Sequence, residues 1–272
     1  MRLGTSIPTL KVGSTAIAAI KRGAARIYDP DVAAFQQASN AADVTGILDL
    51  VDYLKAESLW NYARFYPMKS AQNAGTGSTV YGLGGLTSNN MTLVNSPTWG
   101  SEGVTFDAAS SQAGTISDFL SDATLSFWWR GTSTSDNWLV SQYDSGASQR
   151  SIGVLLGASV CSLLRSSTGI TSTFLETYTG SKPSAGDTVS AEWVDGGGRS
   201  FYINKAEQEL SLSSGAPQTS RLDTSTPVAV MSAYSSGVPS TFTSGTVALA
   251  GVIETALTTT QRETITDLIN AL

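Results

Sequence analysis

Two acidic side chains on one face of a strand can cleave a glycosidic bond. One protonates the leaving oxygen and the other attacks the sugar or activates water. Runs of the form Glu-x-Asp-x-x-Glu achieve this, because alternate strand residues share a face. No such run occurs in this chain of 272 residues. The candidate run Glu192-Trp-Val-Asp195 separates its carboxylates by three positions and so turns them to opposite sides of a strand. Histidine is absent altogether, which excludes Ser-His-Asp and Cys-His nucleophiles, His-ligated zinc and an imidazole switch. The single cysteine, Cys161, lies in an apolar strand-like stretch and reads as a small buried hydrophobe, with no intrachain disulfide available.

Sugar binding without cleavage asks for aromatic faces to stack on a pyranose ring. Trp128, Trp138, Tyr143, Tyr178 and Tyr234 are the candidates. Trp128 is the favoured platform, because it lies out of phase with Phe127 and Trp129 and should point away from the core. Aromatic residues in such strands nevertheless belong to cores and interfaces more often than to ligand sites. Loop oxygens at Asp136, Asn137 and Asp144, or at Asp107, are the candidates for holding a calcium ion. It takes about six to eight oxygens, whereas scattered Asp and Asn mostly shape turns, and no other cofactor is expected. The glycine runs Gly82-Leu-Gly-Gly and Gly196-Gly-Gly lack the strand-to-helix spacing of phosphate loops and read as plain loops.

Charged residues make up only 14% of the chain, against roughly 25% in ordinary globular proteins. The net charge of −6 argues against sequence-independent nucleic-acid binding, which needs clustered cations. Lys21, Arg22 and Arg26 do cluster, but as a turn or docking contact. No apolar run reaches the roughly 18 to 20 residues that span a bilayer. The stretch from Ala16 to Ile20 is too short for a secretory core.

These residues have to be positioned by three regions. Residues 1–29 hold three short strand-like pieces punctuated at Gly13-Ser14 and Arg22-Gly23, the pattern of a β-meander. Residues 30–98 begin with a stop at Asp29-Pro30-Asp31. One amphipathic helix follows, with Asn40 as N-cap and an apolar stripe through Val44, Ile47, Leu48, Val51 and Leu54. Leu59, Trp60, Ala63 and Phe65 continue an apolar face, with a candidate break at Glu57-Ser58 before them, into a Gly/Asn-rich bridge. Residues 99–272 alternate short strands and turns, as in a two-sheet antiparallel sandwich. The strand from Thr124 to Arg130 sets Leu125, Phe127 and Trp129 on one face. Thr258-x-x-Gln261 is a capping box that opens a short C-terminal helix.

Gly103-Val-Thr-Phe-Asp107, Ala123-Thr-Leu-Ser-Phe-Trp-Trp-Arg130 and the closing Thr246 to Gln261 segment together resemble the concanavalin A-like jelly roll in its laminin-G-like form, as found in bacteriophage virion proteins. The hairpin from Asp195 to Asn204 is similar to the family's, with Lys205 where glycine is usual. The first thirty residues resemble the attachment segments of phage tail and adsorption proteins, which would assign particle contacts to Leu10, Val12, Ile17, Ile20, Arg22 and Ile27.

The resemblance implies a non-enzymatic structural protein of the virion, made in the host bacterial cytoplasm and carried on a tail, fibre or particle surface. Its partners would be other virion proteins and itself, as a homotrimer whose axis the long helix supplies. A host-surface glycan would be a further partner, and neither nucleic acid nor membrane insertion is implied. A stand-alone carbohydrate-binding module is the main alternative, and a polysaccharide-depolymerising tailspike the third.

Overall fold

The computed structural model describes residues 11–12, 15–16, 20–22, 25–86, 90–117, 124–134, 136–144, 149–157, 160–166, 175–194, 198–214 and 226–272. Among these, the N-terminal segment forms two hairpins rather than one meander. Strand β1 (Lys11–Val12) pairs with β2 (Thr15–Ala16), and β3 (Ile20–Arg22) with β4 (Ala25–Tyr28). Val12, Ile20, Arg22 and Ile27 lie on these strands, whereas Leu10 and Ile17 fall outside the described residues.

The expected stop at Asp29-Pro30 is instead a start. Asp29 Oδ1 accepts from the Asp31 and Val32 N–H groups at 2.9 and 3.3 Å, capping helix α1 (Pro30–Ser39). Proline at the first helical position loses no bond there. Asn40, expected to open a helix, closes this one in the left-handed region at φ 56°. Asp-Pro and Asn serve either end of a helix, so sequence alone leaves their sense open. Two helices therefore precede the sandwich, where one was expected. Helix α2 (Thr45–Ala56) buries Ile47, Leu50, Val51 and Leu54 within its own chain. That stripe is thereby occupied and cannot also form the axis of a trimer.

The helical face ends at Ser58, whose φ of 61° turns the chain. Trp60–Tyr62 make a 3-10 turn and lead into strand β5 (Ala63–Pro67). The apolar spacing of this stretch satisfies a strand covered on both faces. Ala63 and Phe65 pack toward the helices, and Tyr66 and Met68 toward the inter-sheet core. Next come β6 (Thr79–Val80), β7 (Met91–Val94), β8 (Thr98–Gly100), β9 (Gly103–Phe106) and β10 (Ala113–Ile116). They are followed by β11 (Leu125–Ser133), β12 (Trp138–Asp144), β13 (Gln149–Leu156), β14 (Val160–Ser166), β15 (Leu175–Ser181) and β16 (Thr188–Trp193). The chain closes with β17 (Arg199–Ile203), β18 (Ala206–Glu207), β19 (Ser211–Ser214), β20 (Val228–Val230), β21 (Ala233–Ser235), β22 (Val238–Ser240), β23 (Gly245–Ile253) and helix α3 (Thr259–Ala271).

Two antiparallel layers result, the sandwich expected from the sequence. One runs β19-β15-β14-β13-β12-β20-β10-β7-β6, with β21 joined to β12 as its one parallel neighbour among the described residues and β22 paired to β21. The other runs β18-β17-β16-β11-β23-β9-β8, with β5 also on β23. Strands β5, β6 and β7 and the first residue of β8 lie before residue 99, so the sandwich draws on the segment read as helix and bridge. Leu125, Phe127 and Trp129 point into the space between the layers. Phe127 meets Trp193 edge to face, with centroids 5.8 Å apart and planes at 88°.

The second layer's outer face carries α2 and α3. Leu50, Leu54, Ile265 and Ile269 from the helices pack there on Trp128, Phe65, Leu249 and Ile253. The capping box is present as expected: Gln261 N–H donates to Thr258 Oγ1 at 3.2 Å, and Thr258 N–H to Gln261 Oε1 at 3.0 Å. The helix is latched by Arg262, whose Nη2 donates to Glu192 Oε2 at 3.0 Å while its guanidinium lies 4.1 Å above the Tyr202 ring. No helix among the described residues is long and apolar enough to cross a membrane.

Candidate functional site

Packing of α1 beside the Gly82-Leu-Gly-Gly run leaves a cleft of about 310 Å³. One wall is a single face of α1, presenting Asp31, Ala34, Phe35 and Ala38 at helical spacing. The opposite wall is Tyr81 to Gly84, with Asn90 beside it and Trp60 also lining the space.

The opposite wall exists because this run is not a free loop. Leu83 bridges Phe65 of β5, each N–H donating to the other's carbonyl at 2.7 Å, and the Leu83 side chain is buried. Gly84 has φ +150°, and a Cβ there would lie 1.9 Å from the Ala63 carbonyl oxygen. Glycine is thus required for main chain to lie against main chain. Asn90 Oδ1 accepts from the Gly82 N–H at 3.1 Å and closes the rim. Asn73 braces the run from behind, taking the Tyr81 N–H at 3.0 Å and donating to the Tyr81 carbonyl at 2.9 Å.

Trp60 is fixed by its carbonyl, which accepts from Gly85 N–H at 2.9 Å, and by the Lys55 ammonium 4.7 Å from its ring centroid. That ammonium donates to Asp29 Oδ2 at 2.8 Å and also pairs with Asp31. Burial opposes the charge on Asp29. The hydrogen bond and charge of Lys55, with the N–H groups of Val32 and Asp31, outweigh it and hold the carboxyl below its ordinary value. A glycosidase acid needs the opposite shift, so Asp29 is an anchor and not a proton donor. Neither Trp60 Nε1 nor the Tyr81 hydroxyl hydrogen-bonds among the described residues, and both rings are part-exposed. The cleft thus brings a part-exposed tryptophan and tyrosine together with a carboxylate and an amide, side chains of the kinds that pack against a ring and exchange hydrogen bonds.

The residues named from sequence do not converge here. Trp128 is fully buried beneath the helices, its Nε1 donating to Ser126 Oγ at 3.0 Å. Its phase is as expected, but the outward face is covered, so it is not a sugar platform. Trp138 is buried against Gly153, where a Cβ would lie 2.4 Å from Cζ3 of the indole. Tyr234 is 4% exposed and likewise offers no free ring face. Tyr143 and Asp144 lie on β12 and Tyr178 on β15, with side chains outside the described set.

Asp136 pairs with Lys182 at 2.6 Å, and Asn137 Nδ2 donates to the Phe242 carbonyl at 3.2 Å. Asp107 caps a turn, accepting from the Ala109 N–H at 3.0 Å and the Ser110 hydroxyl at 2.7 Å. Asp107, Asp136 and Asn137 thus have structural partners rather than forming one site. Among the described residues no group of three or more acidic, Cys or His side chains could hold a metal ion. Glu192 is committed to Arg262. Cys161 is buried as expected, and desolvation pushes its thiol well up.

A second hollow of about 300 Å³ is lined by Lys69, Glu102, Arg130 and Thr132 among others. Its two cations hold the end of α3: Lys69 Nζ donates to the Leu272 carbonyl at 2.7 Å and Arg130 Nη1 to that of Ile269 at 2.9 Å. Cations there satisfy the helix's last acceptors and its dipole, which is a structural task.

Sequence reading missed Asp31, Trp60, Tyr81 and Asn90. Their signal is two aromatic residues flanking a helix break and a glycine run, hidden because Trp60 reads as part of a continuing helix face and the glycines as a loop.

No protein-family model matches the chain, and no curated protein matches its sequence. Solved structures do resemble its fold. A Trypanosoma rangeli sialidase mutant displaying trans-sialidase activity is 12% identical, with a TM-score of 0.52 over 82% of this chain and 39% of its own. The botulinum neurotoxin serotype D ligand-binding domain, solved with N-acetylneuraminic acid, is 8% identical, with a TM-score of 0.51 over 78% of this chain and 52% of its own. The chain thus spans about two fifths of the one and half of the other. At such identity the likeness is one of fold alone, a mainly β sandwich.

Proposed function

We propose that this protein is a non-enzymatic, glycan-binding sandwich of a bacteriophage particle, joined to other virion proteins through residues 1–29 and acting in adsorption to the host surface. The observation that carries the sugar-binding part is the cleft of Trp60, Tyr81, Asp31 and Asn90, which combines ring faces with hydrogen-bonding groups. A fold shared with a toxin domain solved with a bound sugar supports the same reading. The virion assignment draws on the sequence motifs and the low charge of the chain. Weak contacts repeated over many copies on a particle would gain strength through effective concentration.

A stand-alone carbohydrate-binding module is the second reading, favoured by the cleft being built within one chain. Screening the full chain on a glycan array, with reducing ends measured in parallel, tests the sugar-binding part. Glycan binding without release of reducing ends is expected. Release of reducing ends would indicate the depolymerase instead, and an empty array would remove the glycan role. Light scattering and antibody labelling of particles separate the first two readings: a trimer found on virions supports the first, an unattached monomer the second.

A further inference from the structure

We propose that the cleft between α1 and the Gly82–Gly84 wall takes one or two uncharged pyranose rings and discriminates against acidic sugars. This rests on the glycan-binding reading and names the ligand class for that same site. Its volume, about 310 Å³, lies at the small end of ligand pockets, which run roughly from 300 to 1,000 Å³. A terminal sugar or a disaccharide fits that space better than a long chain laid in a groove.

Charge decides the class. Among the described residues lining the cleft, Asp31 is the only ionised side chain, and it is 49% exposed. The cation nearest to it, Lys55, is shared between Asp31 and the buried Asp29, so the three groups together carry one negative charge. Arg64 lies behind the wall: a Cβ on Gly82 would meet its Nε at 2.3 Å, and its Nη1 donates to the Gly84 carbonyl at 3.3 Å. A sugar carboxylate entering the cleft would therefore meet a like charge and no cation among the described lining residues. Neutral hydroxyls meet what they need. A carboxylate accepts strongly from sugar hydroxyls, the Asn90 amide adds donors, and the glycines let a ligand reach the main chain. Trp60 and Tyr81 supply the apolar faces.

The test is saturation-transfer NMR on the full chain. One set of probes is the methyl glycosides of glucose, galactose and N-acetylglucosamine, and the other is N-acetylneuraminic acid and glucuronic acid. The proteins compared are wild type, Tyr81→Ala, Asn90→Ala and Asp31→Asn. Transfer to at least one neutral probe is expected, with affinity falling about tenfold or more in Tyr81→Ala or Asn90→Ala. Acidic probes should bind about tenfold or more weaker than neutral ones, and Asp31→Asn should narrow that gap. Asn90 is exposed, so its variant keeps the test valid should Tyr81→Ala fold poorly. Acidic probes that bind wild type as well as neutral ones, and lose affinity in Asn90→Ala, would overturn the charge selectivity while leaving a glycan site. Neutral binding unchanged in both variants would overturn the cleft as the site. Absence of transfer to either set, together with an empty glycan array, would overturn the glycan reading itself.

Discussion

Glu192 on β16 and Arg262 on α3 face each other at 3.0 Å, with side chains only 7% and 10% exposed. Removing one partner of such a pair strands a buried charge, which costs about 3–5 kcal/mol. Glu192→Ala should lower stability by that amount in urea titration. Replacing both residues by apolar ones should recover most of the loss, because the desolvation cost of both charges disappears together.

Trp128 tests the covered outer face. Truncating a fully buried tryptophan leaves a cavity, and Trp128→Ala should cost about 3–5 kcal/mol. Glycan affinity of the folded fraction should remain at the wild-type level. A large affinity loss at unchanged stability would return Trp128 to the binding site.

Asp29 gives the chain a pH-dependent anchor. Its folded pKa is lowered, so its contribution is complete above the unfolded value, roughly 3.9, and is lost as pH falls toward the folded value. Asn caps helices as well as Asp does, so Asp29→Asn removes mainly the charge facing Lys55. The stability difference between wild type and Asp29→Asn should be clear at pH 7 and shrink below about pH 4. Urea midpoints across that range measure it, and a difference that grew on acidification would contradict the assignment.

Gly84 holds the cleft's wall against β5. A Cβ would meet the Ala63 carbonyl oxygen at 1.9 Å in a backbone conformation at φ +150°. Gly84→Ala should cost roughly 1–3 kcal/mol and weaken glycan binding by displacing Tyr81 and Leu83. Gly77→Ala is the control, for it has a positive φ of 77° but no atom within 4 Å of the added Cβ. It should strain the backbone and leave binding alone.

The sandwich was legible from sequence because Leu125, Phe127 and Trp129 alternate along one strand. The final helix was legible because Thr258 and Gln261 have the spacing of reciprocal caps. Both are local signals that tertiary contacts leave unchanged. The helix before the sandwich was legible through Ile47, Val51 and Leu54. Asp29-Pro30 and Asn40 misled because their preferences suit helix starts, helix ends and turns alike. Trp128 misled for another reason. Alternation tells which way a side chain points but not what covers that side, and α3 arrives from more than a hundred residues away. The cleft was hidden for the same reason: α1, the 3-10 turn at Trp60 and the glycine wall meet only in three dimensions.

The most direct measurement is a crystal structure of the full chain soaked with the strongest binder from the glycan array. A sugar ring lodged against Trp60 and Tyr81, hydrogen-bonded to Asp31 or Asn90 and with its glycosidic bond intact, is the expected result. A sugar bound elsewhere on the sandwich, or one found cleaved, would contradict the claim that this cleft binds glycan without reacting with it.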